Sequence, residues 1–455
     1  MRNPMLFKAL RVYASRAVSI LEEGMNTLPT PPMTTRARYE ATGPGTSCVS
    51  YEPCIHWMLV LFMREESLKR LPEYQAASGA MNADPQVNRH LGTLVGTTEF
   101  RTRMDVESCL LSLLLRLVLH QDGLRFNDAS FDRIYGGFED FFYSDSIRLR
   151  YVALLNNLRT EPERIELGDC LALVKISKEE KEEVLSEHFS TESYRLDVMQ
   201  CDYALEVILD TPKMIGEGPA PDGVQQPSQL ARAKLDAVCS ALRLFRSGMI
   251  GYNHILVTST PSDPHGGRTI FGPLTSRQLL GTPYSLLGAD VPAFVLFWKE
   301  FDTFPQDQRP RLRLALRRFN FGSERERPED KLIDYMIAFE SLLLRKSEKD
   351  ELAYRLSLRG SLILGHNSAE REAAYAFLRT AYRIRSDIVH GEDPKQTIRV
   401  GNDELVLSLF VGSVEEHLRK ILGKFLLQCR STHETSVIDQ LDRAIISGIN
   451  PGLTG

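Results

Sequence analysis

Read as a string of apolar and polar positions, the chain falls into segments of different period. Residues 5–22 place Leu6, Leu10, Tyr13, Ala17 and Leu21 on one face, with Lys8, Arg11 and Arg16 off it. That spacing predicts an amphipathic helix packed on its own domain, and no cleavable signal pattern is read in it. Dense apolar runs at 54–69 and 104–120 predict two buried helices that pack together, whereas 71–99 is polar and without period. In 147–158, 164–176 and 194–210, β-branched and aromatic residues alternate with polar ones, which predicts half-buried strands of a small sheet. Clusters of Pro and Gly mark 27–46 and 211–227 as loops, the second leading into a helix at 228–245 and a strand at 250–258. A further Gly/Pro-rich stretch, 262–292, is read as the main domain boundary.

Beyond it the period is helical throughout. Helices are predicted at 328–346, 349–365, 369–390 and 403–428, and their short connections make neighbours antiparallel, hence a bundle. The expected fold is therefore α+β: a mixed α/β region over 1–290, read as a sensing or regulatory domain, then a basic helical connector at 291–327, an all-α bundle at 328–430 and a tail at 431–455.

Composition narrows the function classes. With 455 residues, 43% hydrophobic and 25% charged, the chain is globular and long enough for two or three domains. A net charge of -5 excludes a polycation that coats nucleic acid, so any such binding must come from a local patch. Cys48, Cys54, Cys109, Cys170, Cys201, Cys239 and Cys429 are scattered with no C-x-x-C pair, which argues against a disulfide framework and a zinc site and for reduced cytoplasmic thiols. Apolar runs such as 57–63 fall far short of the roughly 20 residues that cross a bilayer, so a soluble, cytoplasmic protein without a membrane partner is expected. The N-terminal half shows no catalytic spacing. His188, Ser190, Asp197 and Cys201 form a triad only on paper, and His56, His120 and His254 read as core or surface residues.

Charge is distributed differently in the C-terminal part. Between residues 309 and 327 seven arginines stand against two acids, and Arg311, Arg313, Arg317 and Arg318 are the candidate phosphate-facing residues. The competing reading is a helix face whose charges meet acids elsewhere. Each of the next three helices carries one charge on an apolar stripe: Glu340 with Ile333, Ile337 and Leu344; Arg359 with Leu352, Leu356 and Ile363; Arg385 with Ala374, Leu378, Ala381 and Ile388. Buried charges must pair, so Glu340 is expected to meet Arg359 or Arg385 and all three to lie together, either as a site or as an ion pair that fixes helix register. His390 lies off the stripe near the negative end of the helix dipole, which favours the imidazolium, and Gly391 is expected to stop the helix in the left-handed C′ position.

The segments DYMIAFESLLL, AYRLSLRGSLILG and YRIRSDIVHG, in this order, resemble the Apea-like branch of the HEPN superfamily, whose signature is an Arg, four to six residues and a His at the end of a bundle helix. The resemblance covers about 322–430. It implies a metal-independent, cofactor-free endoribonuclease of a prokaryotic anti-phage, toxin or stress system, dimerising so that two motifs face one cleft. It further implies Arg385 and His390 as the catalytic pair and RNA, such as tRNA or phage RNA, as the partner. Glu340 and Arg359 match the acidic and basic positions of the preceding helices, and Ser386 and Asp387 support the pair from within the motif. Ser386 stands where many active members have Asn, Asp or His. The chemistry suits RNA, whose 2′-hydroxyl is a built-in nucleophile: a His moves protons, an Arg grips phosphate oxygens, and the products are a 2′,3′-cyclic phosphate and a 5′-hydroxyl. Two other readings remain open at this stage: a non-catalytic module that binds nucleotide or RNA, and a structural dimerisation bundle on a ligand-binding domain.

Overall fold

The computed structural model describes all residues except 27–29, 44–45, 122, 187–191, 220–222, 262–268, 272–281, 394, 402 and 449–455. The chain divides into two compact units, one of Met1–Asp236 with Gly251–Gln278 and one of Ala237–Ile250 with Leu279–Gly455. The division after 278 falls in the Gly/Pro-rich stretch where the boundary is expected. What the linear pattern does not reveal is that 237–250, in the middle of an α+β stretch, belongs to the second unit.

The first unit opens with α1 (Pro4–Asn26), whose apolar stripe is wholly buried as its spacing predicts. A hairpin of β1 (Met33–Gly43) and β2 (Thr46–Ile55) follows. This corrects the expectation of a loop over the described part of 27–46: Pro31 and Pro32 precede β1, where a missing N–H does no harm, while Ala37 and Tyr39 alternate inward against outward Arg38 and Glu40. After α2 (Trp57–Lys69), the stretch 71–99, polar and without period, forms α3 (Pro72–Ala83), the short α4 (Pro85–Asn88) and β3 (Leu94–Gly96), and β4 (Arg101–Arg103) follows it. Pro72 and Pro85 start helices there, and Asp84 caps α4 by accepting from the backbone of Gln86 and Val87. Helix α5 (Val106–His120) packs on α2 as expected, and α6 (Asp128–Tyr143) packs on α5.

The sheet uses β5 (Ser146–Asn156), then β6 (Leu158–Thr160) lies apart from it, then β7 (Arg164–Gly168) and β8 (Leu171–Lys175) rejoin it. Helices α7 (Lys178–Leu185) and α8 (Glu192–Gln200) precede β9 (Tyr203–Pro212) and β10 (Met214–Ile215). The expected strand at 194–210 is thus helical in its first half, where buried Asp197, Val198 and Cys201 recur at helical spacing. Helix α9 (Pro227–Phe245) crosses from the first unit's sequence into the second's, and β11 (Gly251–Thr260) and β12 (Thr269–Phe271) return to the first. The strands align antiparallel in the order β12-β11-β5-β9-β8-β7. Val152, Leu154, Ala172, Val174, Ala204 and Leu256 project from one face into a core closed by Ala37 and Tyr39 of the hairpin and by Val184, Leu185, Val198 and Cys201 of α7 and α8.

The second unit contains β13 (Tyr284–Leu286), α10 (Val291–Asp302), α11 (Pro310–Glu324), α12 (Pro328–Leu343), α13 (Leu352–Leu364) and α14 (Ser368–Val389). A hairpin of β14 (Thr397–Val400) and β15 (Asp403–Val406) leads into α15 (Leu407–Gln428) and α16 (Glu434–Ser447). The four predicted helices are present, and α12 is their hub, touching α11, α13, α14 and α15. Two expectations change. The basic stretch 291–327 is no connector, since α11 packs along α12, and the supposed tail carries α16, whose Val437, Ile438 and Leu441 are buried.

Glycine sets one of these contacts. A Cβ on Gly322 of α11 would lie 2.3 Å from the ring of Tyr335, whose hydroxyl donates to Glu415 at 2.8 Å. The ring cannot retreat without leaving its acceptor, so Gly322→Ala is expected to destabilise the protein by about 1–3 kcal/mol in urea denaturation. A variant as stable as the parent would contradict the close α11–α12 packing.

Candidate functional site

The three stripe charges do not share one cluster. Arg359 on α13 is the deeply buried one, at 2% exposure, and its partners come from elsewhere: the loop after α12 and α16. Its Nη1 and Nη2 donate to the two oxygens of Glu348 at 2.8 and 2.6 Å, and its Nε and Nη2 donate to the two oxygens of Asp442 at 2.8 and 3.0 Å. Its Nη1 also donates to the Leu343 carbonyl at 2.7 Å. All five donors of the guanidinium are thereby used, and none is left for Glu340. The Arg359 hydrogen bonds, against the opposing effect of burial, hold the Glu348 carboxyl down at about 2. This corrects the expectation that Glu340, Arg359 and Arg385 lie together: Arg359 instead joins α12, α13 and α16.

The charged residue on the buried face of α12 is Asp334, not Glu340. Ile333, Ile337 and Glu340 lie half-buried on its flank, whereas Asp334 shares the i, i+4, i+8 line of Ala338 and Leu342. It accepts from Arg318 Nη1 at 2.8 Å and from Arg325 Nε at 3.1 Å. Arg311 is engaged as well: its Nε donates to the Ser341 carbonyl at 2.9 Å and its Nη2 to the Leu344 carbonyl, satisfying the C-terminal turn of α12. Of the four candidate RNA-facing arginines, Arg311 and Arg318 are thus internal fasteners. Arg313 lies 3.2 Å from Asp307 on the surface, and Arg317 is exposed with no hydrogen bond or ion pair among the described residues. The reading in which these charges meet acids elsewhere is the better one for Arg318, while Arg311 is taken up by backbone carbonyls.

The end of α14 keeps its charges available. Ala374, Leu378 and Ala381 bury one face, and Arg385 stands at its margin, 22% exposed, with Nη2 3.6 Å from Glu340 Oε1. Its guanidinium lies over the Tyr382 ring at 6.0 Å, and its Nε is buried without a hydrogen-bond partner. Burial pushes the Glu340 carboxyl up from its usual range, with Arg385 pulling the other way. Of the expected cluster, Glu340 and Arg385 do meet. Ser386 and Asp387 are half-buried in the last turn, where their carbonyls accept from the backbone N–H of His390 and Glu392, both at 3.0 Å. His390 is the C-cap residue and exposed, and its imidazole has no hydrogen bond or ion pair among the described residues. Gly391 follows with φ +88°, the left-handed termination expected of it. Five positions along a helix separate Arg385 and His390 by about 140° around the axis, so one copy of the chain does not aim both at a single point.

In the first unit, Asp197 pairs with His254, whose Nδ1 is 2.6 Å from Asp197 Oδ2, while His188 and Ser190 lie outside the described residues. Cys201 is buried, and burial together with Asp197 pushes its thiol well above the usual range, the opposite of an activated nucleophile. His56 caps α2 by accepting from the Leu59 N–H at 3.2 Å. No family model, curated protein or solved structure matches the chain.

The allocation of charge predicts how variants behave. Arg359→Met leaves Glu348 and Asp442 without their shared cation and is expected to lose about 3–5 kcal/mol of stability, whereas Arg385→Met, at a half-exposed margin, is expected to lose under about 1 kcal/mol. Chemical denaturation of the two variants checks the order. Because the Glu348 carboxyl is held down in the folded state, its contribution is complete above the ordinary value of 4.5 and drains away as pH falls toward about 2. Glu348→Gln should therefore flatten the acid limb of the stability curve, and an unchanged limb would remove Glu348 from that role.

Proposed function

We propose that the second unit is a metal-independent endoribonuclease of the HEPN type in which Arg385 and His390 carry the chemistry. The observation that supports it most is the state of Arg385: placed by Glu340 and Tyr382 at the edge of the bundle, it has one long ion pair of 3.6 Å among the described residues, where Arg359 makes five short hydrogen bonds. His390, five positions further on and exposed, is a group that can give or take a proton. The angle between the two around α14 is what a composite site answers. In a homodimer that brings two α14 ends together, one copy's His390 takes the 2′-hydroxyl proton as the 2′-oxygen attacks phosphorus, and the partner's His390, protonated, gives a proton to the departing 5′-oxygen. Arg385 balances the charge on the phosphorane. The products are a 2′,3′-cyclic phosphate and a 5′-hydroxyl. A prokaryotic defence or stress role, with tRNA or phage RNA as substrate and the first unit sensing a trigger, extends the same reading.

One observation favours a second reading, a non-catalytic module that binds RNA or nucleotide. The His390 imidazole has no orienting partner among the described residues, and Ser386 occupies the motif position where many active HEPN nucleases carry Asn, Asp or His. Incubating purified protein with total RNA, with and without EDTA, separates the two. Cleavage should persist in EDTA because the nucleophile belongs to the substrate. His390→Ala should lose about 10²–10⁴-fold in rate while remaining folded, and Arg385→Lys, which keeps charge but not the bidentate fork, should fail too. A folded His390→Ala protein that cleaves at the parental rate, or a parent silenced by EDTA, would hand the site to the binding reading.

A further inference from the structure

At some distance in sequence from the Arg385 motif, the second unit has a groove of about 360 Å³ whose walls come from the last turn of α9, from α10 and from α15. Its lining is largely aromatic and aliphatic, with Phe245, Phe297, Phe301 and Phe304 among the contributors. The rings of Phe245 and Phe297 lie 5.8 Å apart, and Phe297 and Phe301 stack at 6.2 Å, giving a continuous aromatic wall. Six charged side chains also reach it, and four of these neutralise one another locally. Arg430 donates to Glu300 at 2.9 Å, and Arg419 is held by Glu415 and Glu416.

Lys420 and Lys424 remain. They stand one turn apart on α15, both line the groove, and neither makes a hydrogen bond or ion pair among the described residues. Burial against the apolar wall pushes the Lys424 ammonium down from its usual range. Two lysines one turn apart on one wall of a groove, one of them partly desolvated, are stabilised by an anion that both can reach, and an aromatic wall is stabilised by an apolar body that displaces its water. The volume lies within the roughly 300–1,000 Å³ of small-molecule sites, which are typically apolar with a few convergent polar groups.

We propose that this groove binds a small amphipathic anion, an alkyl or aryl carboxylate, with its apolar body on Phe297 and Phe301 and its head group between Lys420 and Lys424. The site is independent of the ribonuclease reading. Isothermal titration of the full chain with decanoate and with 4-phenylbutyrate tests it, with decanol as the uncharged control. One or both carboxylates are expected to bind at one site per chain, at least about tenfold more tightly than decanol. The carboxylate that binds identifies the alkyl or aryl class. Lys424→Met should erase that advantage over the alcohol, and Phe297→Ala should weaken every ligand, with circular dichroism showing both variants folded. Decanol binding as tightly as the carboxylates, Lys424→Met leaving carboxylate affinity unchanged, or no binding of either carboxylate at millimolar concentration overturns the proposal.

Discussion

The second unit depends on a single buried cation. Taking a guanidinium out of water costs several kcal/mol even after relaxation, and Arg359 is tolerated at 2% exposure only because five acceptors meet its five donors. Those acceptors come from three places: the end of α12, the loop after it, and α16. The requirement is thus a geometric one, since α13 can bury this residue only where the chain has already brought Glu348 and Asp442 to it. Arg345 adds to the same knot, with Nη2 2.7 Å from both Asp439 and Asp442. Glu434, at the start of α16, accepts from the backbone N–H groups of Arg311 and Leu312 at the start of α11, tying the same helix to the bundle's first member.

Charge in this unit is therefore of two kinds. Arg243, Arg311, Arg318, Arg359 and Arg419 act as fasteners, each donating to carbonyls or carboxylates at helix ends and crossings. Arg385 differs in degree: its ion pair with Glu340 is long at 3.6 Å, where that of Arg318 with Asp334 is 2.8 Å. A guanidinium held by one long ion pair suits a phosphate better than one held by short hydrogen bonds, which is why the proposed chemistry rests on α14 and not on Arg311 and Arg318 of α11. Lys420 and Lys424 on α15 are a second place where positive charge goes unmatched.

Much of the architecture was legible in the residues. The stripe of α1, the helices α12 to α15, the alternation of β5, β7 and β8, the Gly391 stop and the boundary near 278 all follow from local periodicity and from the conformational demands of Gly and Pro, which are properties of short windows. Where the local reading failed, a weak local signal had been outweighed. Prolines at 72 and 85 marked helix starts, not loops, and the inward Ala37 and Tyr39 of β1 were masked by the prolines around them.

Partner choice was not legible. That Arg359 is buried and must be paired follows from its place among Leu352, Leu356 and Ile363, so the sequence alone determined that this charge, and an acid to meet it, would lie inside the bundle. It did not determine which acid. Glu340, Glu348 and Asp442 are equal candidates by type, and only the turn after α12 and the docking of α16 decide among them, because an ion pair forms between groups that the fold brings within about 4 Å, whatever their separation along the chain. The same reason separates the arginines of 309–327 into internal and exposed ones: their type and spacing were given by the residues, and their availability to a phosphate was set by where Asp334 and the carbonyls of Ser341 and Leu344 come to rest.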